Sequence, residues 1–309
     1  MTRLIETEGL SKKYRATPAL TDINLSIEKP VCTGLVGKNG AGKTTLLSIL
    51  SGSIRQSSGS VKVLGHAPQG SAIKGKVSIL LQDAHFKKGL PVISQLEHFA
   101  RLQGFTKQAA RDEIADLLRQ LNNADYAGKN PEQLSWGQRK RLGIVQAFIG
   151  QPELVLLDEP TAGLDPLAAH DVRKFIRTYT DKSSFIISSH NLYEIEDICS
   201  DVVILDKGRL IAYTKITELA GKDNSLKISL DRAPSEELLN ALSQLPEIID
   251  LKTDSANQEK ITLYFASKQA DKFQLQVQTL IIDQGFSLVH LHRGKALVDG
   301  VLDLVDAEN

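Results

Sequence analysis

Residues 37–44 read Gly37-Lys38-Asn39-Gly40-Ala41-Gly42-Lys43-Thr44, which matches the spacing G-x-x-x-x-G-K-[ST]. Glycines at these positions let the chain turn tightly, so that successive N–H groups point inward at an anion, and a following helix adds its positive end. Lys43 would supply a point charge to the outer phosphates of a nucleotide, and the Thr44 hydroxyl could coordinate Mg²⁺. The apolar run "VCTGLVG" precedes the loop and "TLLSIL" follows it, giving the strand–loop–helix setting that this chemistry needs.

A second chemical signal stands far along the chain. "ELVLLDEP" ends an apolar run on Asp158 and Glu159. In an open α/β sheet, ligands sit beyond the carboxyl ends of the strands, so both acids should face the glycine loop. Asp158 suits the Mg²⁺ shell through water, and Glu159 suits the orientation and deprotonation of a water attacking the γ-phosphate. The plainer reading, two acids capping a helix that begins near Pro160, weakens once the glycine loop is considered with them.

These residues need strands and helices to hold them. Alternation at Ile23, Leu25 and Ile27 reads as a half-buried strand, and "VCTGLVG", "SVKVLG", "KVSILLQ", "ELVLLDEP" and "SFIISSH" have strand length. Ile114, Leu117, Leu118 and Leu121 follow helical spacing behind Thr106, a suitable N-cap. Strands apolar on both sides and separated by helices predict a parallel sheet covered on two faces. The pattern changes near "GKDNS", residues 221–225, dividing the chain into domains at 1–221 and 222–309. Beyond it the order is strand "LKISL", helix "SEELLNALSQL", strands "EIIDLKT" and "KITLYFA", helix "KQADKFQLQVQTLIIDQG" and strand "SLVHLH". That βαββαβ order predicts a small α+β domain of ferredoxin-like fold.

Composition narrows the function. Lys plus Arg equals Asp plus Glu at 37 each, so no global field recruits nucleic acid or an anionic membrane. Two cysteines, Cys32 and Cys199, make neither a disulfide framework nor a metal pair, and they point to a reducing cytoplasm. "MTRLIETEGL" lacks the apolar core of a signal peptide, and no apolar run is long enough to span a bilayer. Action at a membrane would therefore go through a partner.

Taken in order, "GKNGAGKTT", "LLQD", "LSWGQRKRLGIVQAFIGQPELVLLDEPTAGLDP" and "IISSH" resemble the motifs of an ABC-type ATPase over about residues 2–220. The resemblance implies a P-loop NTPase fold with a mixed sheet and a helical subdomain, ATP and Mg²⁺ as ligands, and the role of nucleotide-binding subunit in a transporter. By the same resemblance Thr45 extends the phosphate cradle and Tyr14 stacks on adenine. Gln82 touches Mg²⁺ and the attacking water, and His190 hydrogen-bonds the γ-phosphate. Ser135, Gly137 and Gln138 match a signature turn that reaches the nucleotide held by a second subunit, and Asp165 matches the loop that aligns the two. The implied partners are a second ATPase subunit, identical or not, and a membrane-spanning permease that docks against residues 83–104 on the inner face of the membrane. The single cassette with a small C-terminal extension resembles exporters of drugs, antibiotics or polysaccharides, and the tail "KALVDGVLDLVDAEN" resembles the closing helix of that group.

One position departs from the family pattern LSGGQ: the third residue is Trp136, the single tryptophan of the chain. Its expected place is the opening of a helix with ordinary dihedrals, amide toward phosphate and indole turned aside. The alternative is a degenerate turn with lowered ATPase activity. A non-transport ABC ATPase of ribosomes or DNA is the competing function, but such proteins usually carry two cassettes or a long coiled-coil insertion. A GTPase or small-molecule kinase would leave the signature turn and "SSH" without a purpose. The C-terminal domain could serve as a ligand sensor, a dimer stabiliser or a spacer.

Overall fold

The computed structural model describes residues 3–28, 32–82, 85–219, 225–254, 259–266 and 270–293, with Leu297, Val301 and Leu304 beyond them. The other residues of the tail, the boundary at 221–222 and the first two residues of the 83–104 segment lie outside the described residues. Two compact units divide between Ile216 and Thr217.

The first unit opens with β1 (Arg3–Tyr14), β2 (Thr17–Glu28), β3 (Cys32–Val36), α1 (Lys43–Leu50), β4 (Ser58–Val63) and β5 (Val77–Leu80). Four helices follow: α2 (Val92–Leu102), α3 (Lys107–Gln120), α4 (Ala124–Ala127) and α5 (Trp136–Phe148). Then come β6 (Leu154–Asp158), α6 (Pro166–Arg177), β7 (Ser184–Ser188), α7 (Leu192–Ile198), β8 (Asp201–Asp206) and β9 (Arg209–Lys215). A short helix, α8 (Ile216–Leu219), leads onward.

Two sheets share these strands. The larger has the order β5-β6-β7-β3-β8-β9, parallel throughout except for the antiparallel β8–β9 edge. Strands β3, β6 and β7 are buried along their whole length, as their unbroken apolar runs require. The smaller sheet, β2-β1-β4, is antiparallel. The expectation of one parallel sheet is thus corrected: "DINLSIE" and "SVKVLG" belong to the antiparallel layer. Alternation in β2, with Leu20, Ile23, Leu25 and Ile27 buried and their neighbours less so, is the signature of a strand wetted on one face. One apolar cluster joins Leu4, Ile5 and Ile23 of this layer to Leu46 and Leu50 of α1 and to Leu35 and Leu156 of the larger sheet. Helix α1, which the glycine loop feeds, is therefore fixed by core packing.

The second unit contains β10 (Ser225–Leu230), α9 (Glu236–Ser243), β11 (Ile248–Thr253), β12 (Lys260–Phe265), α10 (Ala270–Asp283) and β13 (Leu288–Arg293). Its antiparallel sheet runs β11-β12-β10-β13, the interleaved order of a split βαββαβ motif. Leu226, Ile228, Leu238, Leu263, Phe273 and Val277 form its separate core. Among the described residues, no helix is long and apolar enough to cross a membrane.

Candidate nucleotide and hydrolysis site

The glycine loop leaves β3 at Val36 and enters α1 at Lys43. Two of its glycines are required by space as well as by dihedral. A Cβ on Gly37 (φ +155°) would stand 2.3 Å from the Leu205 carbonyl oxygen, and one on Gly42 (φ +104°) would stand 2.6 Å from Leu20 Cδ2. Lys43 is buried and donates from Nζ to the Gly37 carbonyl at 2.8 Å, so its charge lies over the loop. Asn39 to Thr45, from the loop and the first turn of α1, line one concavity, where the N-terminus of a helix favours an anion.

Asp158, the last residue of β6, is 1% exposed. Its carboxylate accepts hydrogen bonds from Thr44 Oγ1 at 2.6 Å and from Ser188 Oγ at 2.5 Å. These two hydroxyls satisfy a carboxylate that would otherwise be costly to bury. Glu159 follows in a left-handed conformation, φ +51°, which is uncommon for a residue with a side chain. Its N–H donates to both the carbonyl (3.2 Å) and the hydroxyl (2.9 Å) of Ser188, holding that conformation. The Glu159 carboxylate reaches His190, with Nδ1 2.7 Å from Oε2. An ionised Glu159 can only accept, so Nδ1 carries the proton of this contact.

Lys43, Thr44, Gln82, Asp158, Glu159 and His190 line one cavity of about 480 Å³, together with Asn39 to Gly42, Thr45, Ala19 and Ala162. Lys38 and Asn39 also border a smaller hollow beside Asp206 and Lys207. Tyr14, Ser135, Trp136, Gly137, Gln138 and Asp165 are not among the residues that line the cavity. Tyr14 ends β1 half exposed, with Lys12 Nζ 5.2 Å from its ring. Ser135 caps α5 in a reciprocal box: its Oγ accepts from Gln138 N at 3.2 Å, and Gln138 Oε1 accepts from Ser135 N at 2.9 Å. Trp136 is the first residue of α5. Asp165 caps α6, accepting from Ala168 N at 2.9 Å.

Residues 20–162 match the family described as ABC transporter. The daunorubicin/doxorubicin resistance ATP-binding protein of Streptomyces peucetius is 32% identical over 249 residues, covering 78% of this chain and 76% of that protein. The chain belongs to the ABC transporter family of ATP-binding proteins. The linearmycin resistance ATP-binding protein of Bacillus subtilis is 28% identical over 273 residues, covering 84% of this chain and 88% of its own. A solved ATP-binding subunit of an ABC transporter superposes with a TM-score of 0.65 at 26% identity, over 70% of this chain and 91% of that one. An ATP-binding cassette solved as a dimer after hydrolysis, with ADP and Pi, reaches a TM-score of 0.65 at 20% identity over 69% of this chain and 99% of its own, and so shares the fold. As a member of this family the chain is an ATPase whose work drives transport.

For an ABC ATPase the sequence left two residues of the site, Ser188 and Glu194, and the contact of two cysteines without a role. Ser188 binds both Asp158 and Glu159, and its only signal was a polar residue closing an apolar strand inside "SSH". Glu194 accepts from Thr161 Oγ1, from Ser189 Oγ (3.3 Å) and from Arg173 (3.4 Å), tying the loop after Glu159 to Ser189 and to α7, the helix that follows His190. Nothing in the spacing of "SSHNLYE" distinguishes Glu194 from a solvated helix residue. The two cysteines, 167 positions apart, meet with sulfurs 3.4 Å apart, both free and buried, and burial pushes the Cys199 thiol up well above its ordinary value. Distance along the chain concealed that pairing.

Proposed function

We propose that the cavity around Lys43 binds Mg²⁺·ATP and that Glu159 acts as the base for the attacking water, with Lys43, Gln82 and His190 completing the catalytic set. The loop from Gly37 to Gly42 with Lys43, Thr44 and Thr45 cradles the phosphates, and Tyr14 stacks on the adenine. Thr44 and Asp158 already meet as a hydroxyl and a carboxylate at 2.6 Å, a hard oxygen pair that suits Mg²⁺, with Gln82 at the same cavity. Bound there, the cation would neutralise charge building on the phosphates. Lys43 holds phosphate by charge, Glu159 takes the proton of the water, and His190, hydrogen-bonded to Glu159, orients that carboxylate.

The observation that carries this reading is a division. Six chemistry-bearing residues from four separated stretches converge on one cavity, whereas Ser135, Trp136, Gly137 and Gln138 stand outside it with Asp165. A pocket assembled from two subunits explains both facts: the turn at Ser135 completes the site of a second ATPase subunit, and Asp165 lies along their junction. That second subunit is a copy of this chain or a homologous one. The pair drives a separate membrane-spanning permease from the cytoplasmic face, with residues 83–104 as the docking segment. Relatives named for resistance to daunorubicin, doxorubicin and linearmycin support export as the direction of transport. Residues 222–309 form a separate domain that serves as a spacer or dimer stabiliser.

The test is ATP hydrolysis by the purified subunit as its concentration is raised, with and without a Mg²⁺ chelator. Activity per subunit should rise with concentration and vanish on chelation, Ser135→Ala should depress it, and Glu159→Gln should lower turnover by ~10²–10⁴-fold while ATP still binds. Turnover that is independent of concentration and indifferent to Ser135→Ala would refute the shared pocket.

A further inference from the structure

The indole of Trp136 lies against Gly163, in the loop between β6 and α6. A Cβ built on Gly163 would stand 2.8 Å from Cζ3 and 3.0 Å from Cη2 of that indole, so only glycine leaves room for the ring. Lys140, one turn along α5 and 1% exposed, places Nζ 4.6 Å from the centre of the indole. The same ammonium group donates to the Ala162 carbonyl at 3.3 Å. Two side chains of one helix thus hold two consecutive residues of the loop, one by its carbonyl and the next by its bare face. Beside them, the position of a Cβ on Gly137 is 3.2 Å from Leu164 Cδ2, so the close packing continues along the loop.

That loop descends directly from Glu159. Ala162 N donates to the Glu159 carbonyl at 3.2 Å, and Leu164 N donates to the Thr161 carbonyl at 3.1 Å, so the segment is a pair of tight turns without slack. Ala162 itself borders the cavity. A shift of Gly163 or Ala162 must therefore move Glu159 or break these turns. A buried ammonium over an aromatic face, bonded on its other side to a carbonyl, resists such a shift more strongly than either contact alone.

We propose that Trp136 is a positioning residue for hydrolysis: with Lys140 it clamps the Ala162–Gly163 segment and thereby fixes Glu159. The inference rests on the role of Glu159 as base. It gives the tryptophan a purpose that glycine at this position could not serve, and it pairs the bulk at 136 with the absence of a side chain at 163.

The experiment measures kcat and KM for ATP in Trp136→Gly, Trp136→Phe, Lys140→Met and the Trp136→Gly/Lys140→Met double variant, with thermal melts to confirm folding. Trp136→Gly and Lys140→Met should each lower kcat about fivefold or more, with KM changed by less than about twofold, and the double variant should be no worse than the weaker single. Trp136→Phe, which keeps a ring over the ammonium, should recover at least about half of the wild-type kcat. Lys140→Met should also move the Trp136 emission of the nucleotide-free protein, a readout that does not depend on turnover. If Trp136→Gly does not fold, Trp136→Phe, Lys140→Met and the emission shift carry the test. Additive losses, or a raised KM with unchanged kcat, would overturn the clamp. Glu159→Gln run in parallel separates the two readings: turnover surviving that change removes the base, whereas turnover lost there beside a wild-type kcat in Trp136→Gly removes the clamp.

Discussion

At the residue scale, the site depends on a few short hydrogen bonds to groups that cannot reach water. Ser188 is the clearest case, since one hydroxyl donates to Asp158 and accepts from Glu159 N–H. It also helps to hold Glu159 at φ +51°, a conformation that costs a residue with a side chain on the order of 1 kcal/mol or more. Ser188→Ala would leave one oxygen of a buried carboxylate without its donor, and we expect it to destabilise the protein by ~1–3 kcal/mol. Denaturant unfolding of the variant beside the wild type measures this; an unchanged midpoint would show that Asp158 finds another partner at no cost.

At the element scale, the unit that matters is β3, its loop and α1. A strand buried along its length aims the loop, and a helix whose Leu46, Leu47 and Leu50 sit in the core receives it. Gly37→Ala tests how closely the loop is built against its neighbours, because the added methyl carbon would meet the Leu205 carbonyl at 2.3 Å. ATP affinity of this variant, followed by titration with a fluorescent nucleotide, should fall by at least about tenfold, because the loop can relieve the clash only by withdrawing N–H groups from the phosphates. Much of this element was legible in the sequence, since the glycine spacing and the flanking apolar runs have few other physical explanations. Helix α3 was equally clear: its apolar stripe and its Thr106 cap both follow from local spacing. Strand β1 was not. Glu6, Glu8 and Gly9 interrupt its alternation, and buried Thr7 is satisfied only across the sheet, by the Ile23 carbonyl and Leu25 N–H at 2.9 Å. Strand β9 closes the far edge of the larger sheet with intermediate burial, and so carries a weak apolar signal. The hairpin of β1 and β2 is local, but the addition of β4 to it depends on pairing with β1 across more than forty residues, which no local pattern records. The same limit hid Ser188 and Glu194, whose partners come from other segments.

At the scale of the whole molecule, the proposed division of the pocket between two subunits would make association part of the chemistry. In the proposed arrangement ATP would bind where it can bridge two subunits, and its cleavage would remove the bridge. Trp136 stands beside the turn that would approach the second nucleotide, and as the single indole it reports without labelling. In a Glu159→Gln background, adding ATP and Mg²⁺ should change its emission in step with dimer formation measured by light scattering. An emission that stays constant while the dimer forms would place Trp136 away from the junction. The two cysteines have a practical bearing on such measurements. Cys32 and Cys199 are the chain's full complement of thiols, both buried, and Cys199 is made less reactive by the desolvation of its thiolate. A new cysteine at an exposed site such as Leu167 or Tyr193 would therefore take a maleimide dye alone, without first stripping the native sulfurs. Paired dyes on two copies could then follow the opening and closing of the assembly, one molecule at a time.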